Sequence, residues 1–104
     1  MKETFGEYIK RLRTENELTL TQLAAKLDLD SANLSKIENN KRAFDEKRLE
    51  LLASVFNLNI AQIRRVFFSD LIAKKIYENN CDNETLILAE QKVEYLKSKN
   101  LTTK

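Results

Sequence analysis

The chain contains no proline and a single glycine, Gly6, in 104 residues. Sheets and long irregular loops draw on such residues, which supply the positive or preset φ that sharp corners need. A chain almost without them is expected to be all-α. Hydrophobic residues make up 42% and charged residues 33%, the balance of a globular chain rather than a disordered one. A chain of this length can bury one modest core, so one domain with an appendage is expected.

Hydrophobic spacing divides the chain. A first helix is expected over residues 4–16, with Phe5, Ile9 and Leu12 as its stripe and Tyr8 beside them. A second runs over 20–27. Thr19 caps it and Gln22 completes a Thr-x-x-Gln capping box, while Leu20, Leu23, Ala24 and Leu27 share one face. A third runs over 31–39 from an Asp30 cap, whose carboxylate suits orphan N–H groups and the positive end of the helix. Leu34 and Ile37 point inward and Leu29 plugs the turn. Ser31, Ala32, Asn33, Ser35 and Lys36 face outward or flank the seam. A fourth helix is expected over 46–56, capped by Asp45, with Leu49, Leu52, Ala53 and Phe56 buried and Phe44 stapled onto it. Asn59 caps a fifth, which meets no breaker before about Tyr77. Residues 79–83 read as a loop. A last helix from an Asn83 cap spans about 84–98, and the tail beyond it should fray.

The stretch from Thr19 to Arg42 resembles the helix-turn-helix of the phage-repressor (Cro/cI, or XRE) family. The matching residues are Leu23-Ala24, Lys26-Leu27, Leu29, Leu34 to Asn39 and Lys41-Arg42, and the resemblance extends over about residues 5–65. It implies a five-helix repressor-like DNA-binding domain over 1–65; beyond it the family pattern ends, and the helical spacing itself gives a helical extension, a hairpin, over 66–104. It also implies that Arg13 pairs with Glu38, partly buried, tying the first helix to the third. Family glycines are replaced by Glu17, Asp28 and Asn40. Aspartate and asparagine tolerate left-handed geometry, so Asp28 and Asn40 are expected at positive φ. Glu17 fits that geometry less well.

In the resembled family the exposed start of the third helix reads bases. By position those residues are Ser31, Ala32, Asn33 and Lys36, with Ser35 beside them. Lys36 is the leading specificity residue, suited to guanine O6 or N7. Asn40, Lys41 and Arg42 fall where the family loop meets the DNA backbone, and Lys47 and Arg48 add charge nearby. Leu20 stands where the family often has a phosphate-gripping glutamine, so Thr21 or Gln22 is expected to take over that contact. Formal charge is only +2, so any basic face must come from local clustering.

Val66, Phe67, Leu71, Ile72, Leu86 and Val93 offer more apolar surface than a hairpin can hide. Packing on the first domain is one account. A homodimer is the expected one, since large apolar patches mark partner surfaces and small repressors bind twofold sites as dimers. Double-stranded DNA and a second copy are therefore the expected partners. The runner-up is an antitoxin-like module whose last helices bind another protein. Within the family, the controller proteins of restriction–modification systems fit best, because no ligand or protease domain is evident.

Enzyme chemistry is not expected. There is no histidine, and Cys81 is the single cysteine, so no nucleophile–base pair, metal site or cofactor site can be assembled. No small-molecule ligand is evident. The first ten residues lack a signal-peptide core and no stretch approaches the ~18 apolar residues of a membrane span, so a cytoplasmic location is expected.

Overall fold

A computed structural model describes residues 2–100. Among them there are six α-helices and no strand. The helices are α1 (Phe5–Glu15), α2 (Leu20–Lys26), α3 (Ser31–Glu38), α4 (Leu49–Phe56), α5 (Ile60–Glu78) and α6 (Asn83–Lys99). A 3-10 turn over Glu46–Arg48 leads into α4. No helix among the described residues is long and apolar enough to cross a membrane. The tail expected to fray lies from Leu101 onward outside the described residues.

The helix starts follow local chemistry. Thr19 accepts from the backbone N–H of Gln22, whose side chain accepts from the Thr19 N–H in return. Thr4 and Glu7 form the same reciprocal box at α1. Asp30 caps α3 by accepting from the Asn33 N–H at 2.7 Å. Asn59 accepts from the Ala61 and Gln62 N–H groups. Each box satisfies donors that a helix start leaves unpaired. Two starts differ from expectation. Asp82, not Asn83, caps α6, its carboxylate accepting from both the backbone and the hydroxyl of Thr85. Asp45 caps a 3-10 turn at the Lys47 N–H, so α4 begins three residues later than the apolar spacing suggests.

The helix ends share one device. Glu17, Asp28, Asn40, Asn57 and Asn80 all adopt left-handed geometry, with φ between 52° and 63°. In each case the next residue's N–H reaches back to a carbonyl in the last turn: Leu18 to Arg13, Leu29 to Ala24, Lys41 to Lys36, Leu58 to Ala53 and Cys81 to Ile76. These are Schellman closures. Glu17, expected to fit poorly, sits at φ 58°. A non-glycine residue there is disfavoured by sterics. The closure bonds and the packing of Leu18 on the core offset that cost.

By its packing the chain divides into two units, Met1–Asp70 and Leu71–Lys104. The first holds the core. Ile9, Leu23, Leu27, Leu34, Leu49, Leu52 and Ile63 are fully buried. Around Phe5 stand Phe44, with ring centroids 5.6 Å apart, and Phe67, edge-on at 5.1 Å. This aromatic cluster carries the unit beyond residue 65, the expected boundary. It also removes Phe67 from any partner surface, since it is only 5% exposed. Val66 is half-buried against the same core. In the second unit α6 buries no residue, and Leu71, Ile72, Leu86 and Val93 are exposed.

Candidate nucleic-acid interface

The helix α3 is amphipathic over little more than two turns. Leu34, Ile37 and Glu38 are buried. Ala32 and Lys36 are exposed, while Ser31, Asn33 and Ser35 are half-exposed. Asn39, just beyond the helix, is exposed too, and Ala32, Ser35, Lys36 and Asn39 recur at the spacing of one helical face. Asn39 was absent from the expected set, although that spacing alone would have found it. Its amide donates to the Ser35 carbonyl at 2.8 Å.

Two contacts hold α3 against its neighbours. Arg13 on α1 meets Glu38 in a two-pronged pair, Nε to Oε2 at 2.8 Å and Nη2 to Oε1 at 3.0 Å. The third prong, Nη1, donates to the Leu18 carbonyl at 3.1 Å. The side chains are 14% and 4% exposed. The hydrogen bonds that Arg13 donates to Glu38 push the Arg13 pKa above its already high ordinary value. The second contact is a close approach of backbones. Gly6 in the first turn of α1 faces the Ile37 and Glu38 carbonyls at the end of α3. There the positive end of one helix meets the negative end of the other.

At the start of α2, the Ser31 hydroxyl donates to Thr21 Oγ1 at 3.2 Å, bringing the first turns of α2 and α3 together. Gln22 is exposed, but its carbonyl oxygen is engaged in the capping box, leaving only its NH2 group to donate outward. Asn33 is likewise tethered, its amide 3.3 Å from Asp30 Oδ2. It lines a recess of about 290 Å³ with Leu29, Ile37, Arg42, Ala43, Asp45 and Arg48.

Past α3, Lys41 and Arg42 are exposed. Asn40 is exposed too, with its side-chain oxygen lying towards Gly6 of α1. Lys47 is exposed. Arg48, grouped with it in sequence, is turned inward on three acceptors. Thr21, Gln22, Ser31, Ala32 and Lys36 are thus exposed or half-exposed on α2 and α3, whereas Arg13, Glu38 and Arg48 are engaged in the contacts that hold these helices. Short side chains around one lysine let a helix approach closely, and a rod of this width fits the major groove. Among the described residues no cluster of acidic or cysteine side chains could hold a metal ion.

A family model described as Helix-turn-helix matches residues 9–63. Over 72 residues the chain is 33% identical to the Control protein C.MunI of a Mycoplasma species, a match covering 68% of this chain and 92% of that protein. Over 40 residues it is 48% identical to the HTH-type transcriptional repressor RghR of Bacillus subtilis (strain 168). That match covers 38% of this chain and spans only 30% of the repressor. Among solved structures the chain is similar to the master regulator for biofilm formation SinR in complex with DNA, with a TM-score of 0.51 and 28% identity over 58% of this chain and 97% of that one. The chain belongs to the repressor-like (XRE) helix-turn-helix family of DNA-binding transcription regulators.

Proposed function

We propose that this protein is a sequence-specific regulator that binds a twofold duplex site as a homodimer, with α3 in the major groove of each half-site. The observation that carries the reading is the amphipathic build of α3. Its apolar side and Glu38 are locked inside, while Ala32 and Lys36 face out. In this reading Lys36 reads a base edge. Ser31, Ala32, Asn33 and Ser35 set how closely the helix approaches. Thr21, Gln22, Asn40, Lys41 and Arg42 meet phosphate and fix register. The chain would work in the cytoplasm, without catalysis. Its match along nearly the whole of a control protein favours a controller-type role.

Lys36 and Lys41 separate base reading from backbone contact. Lys36→Ala should relax preference at one base position, costing about 1–3 kcal/mol of discrimination there. Lys41→Ala should weaken every duplex alike and flatten the slope of affinity against salt by about 1. Selection of bound duplexes from a random pool, followed by salt titrations, measures both. Equal losses on all sequences from both variants would sink the assignment of roles.

Support for the dimer comes from α6. Leu86, Ala89, Val93 and Leu96 recur at alternating three- and four-residue steps, the seam of a two-stranded coiled coil. All four are exposed in the single chain. Leu71 and Ile72 extend the apolar surface at the end of α5. The double variant Leu86→Lys/Val93→Lys should sediment as a monomer. It should bind a twofold site on the order of 10²-fold more weakly, because the second half-site contact is no longer intramolecular. A wild-type chain that is monomeric at micromolar concentration would refute the dimer.

A further inference from the structure

Arg48 belongs to the 3-10 turn before α4, and by charge alone it looks like one more phosphate contact. Its guanidinium is already engaged. Nε donates to the Leu27 carbonyl at 3.0 Å and Nη2 to the Asp28 carbonyl at 3.2 Å. Nη1 donates to Asp45 Oδ2 at 3.0 Å. Leu27 and Asp28 close α2, where carbonyls run out of helical partners and the dipole is negative. Asp28 is in left-handed geometry, so the chain turns sharply at this point towards α3. Asp45 uses its other oxygen to cap the Lys47 N–H at 3.0 Å. One planar cation therefore joins the turn in front of α3 to the segment behind it. Arg13 and Glu38 hold the far end of the same helix.

We propose that Arg48 is a positioning residue for base reading, a clasp that fixes the angle at which α3 meets the DNA, and not a phosphate contact. The proposal rests on the DNA-binding reading above. A rigid fork of donors can meet two carbonyls and a carboxylate together, whereas a lysine ammonium on a flexible stem keeps the charge without that geometry. Arg48→Lys therefore separates the two roles. If Arg48 met phosphate, lysine would preserve most of the affinity and the salt slope. If it is a clasp, lysine keeps the charge and loses the angle.

The test compares wild type, Arg48→Lys and Asp45→Asn in the full chain. The probes are the duplex selected by wild type, single-base variants of it and an unrelated duplex, at several salt concentrations. Thermal unfolding of each variant sets the temperature at which all are folded. The expected result is that Arg48→Lys loses about tenfold in discrimination between selected and altered duplexes, the scale of one well-placed base contact. Binding to the unrelated duplex and the salt slope should stay as in wild type. Asp45→Asn, which leaves Arg48 in place with a weaker anchor, should shift discrimination the same way by less. Wild-type discrimination in Arg48→Lys overturns the clasp, as does an equal loss of affinity on every duplex. A wild-type chain that selects no duplex overturns the DNA-binding reading itself, and the clasp with it.

Discussion

Replacing Glu38 with alanine should lower the unfolding free energy by about 3–5 kcal/mol. The pair it forms with Arg13 is two-pronged, and both side chains are largely screened from water. Removing one partner strands the other charge. Arg13 would keep only its bond to the Leu18 carbonyl, and its Nε and Nη2 groups would lose the carboxylate they now meet. For a domain of this size each kcal/mol moves the midpoint by about 4–8 °C, so Tm should fall by on the order of 20 °C. The cost arises from the orphaned cation more than from the lost attraction. Arg13→Met/Glu38→Leu, which removes both charges and keeps the bulk, should therefore recover most of the loss. Thermal or urea unfolding of the three proteins gives the answer. A Glu38→Ala chain within about 1 kcal/mol of wild type would show that water screens the pair after all.

Gly6→Ala should destabilise the domain, against the rule for helices. Alanine is favoured over glycine inside a helix by about 1 kcal/mol, and Gly6 lies in the first turn of α1. Propensity alone predicts a gain. A Cβ at this position would fall well inside 3.0 Å of the Ile37 carbonyl oxygen, 2.9 Å from Asn40 Oδ1 and 3.1 Å from the Glu38 carbonyl oxygen. The Asn40 side chain can move aside. The two carbonyls are backbone at the end of α3 and cannot move without shifting that helix. Overpacking of this kind costs about 1–3 kcal/mol, occasionally more, and backbone oxygens this close place it in the upper half of that range, so after the propensity gain the expected net change is a loss of about 1–2 kcal/mol. The sign decides the matter: a more stable Gly6→Ala chain would mean that α1 and α3 do not approach as closely as they do here. Because α3 is the helix proposed to enter the groove, the same variant should also weaken DNA binding beyond what its stability explains.

The parts legible in sequence were local ones. The Thr19–Gln22 box, the Asp30 cap and the Asn59 cap each depend on residues two or three apart, a distance over which side-chain and backbone chemistry suffices. Helical spacing picked out most of the buried positions of α1 to α4, because a 3.6-residue period needs no knowledge of the partner; Leu20 and Phe56, expected on the buried stripes, are only half-buried at the edge of the core. Positive φ at Asp28 and Asn40 followed from the family's glycine positions together with residue type, and Glu17 shows the limit of residue type. At Glu17 the Schellman closure and Leu18 decide the conformation, and the intrinsic preference of glutamate does not.

The parts that were not legible depended on meetings across the chain. Phe67 has the same apolar character as Leu71, yet it closes on Phe5 and is buried, while Leu71 is exposed. Lys47 and Arg48 carry the same charge side by side. One is exposed and the other clasps carbonyls 20 and 21 residues earlier. Gly6 is a neutral helix residue until α3 is laid against it. The order of elements, most of their caps and the family were thus legible in the chain itself, because those properties are set by neighbours in sequence. Which charges face out, which aromatic residues leave the surface and how tightly α1 meets α3 were decided only on folding. Burial and hydrogen-bond partners belong to pairs of residues that sequence distance does not bring together.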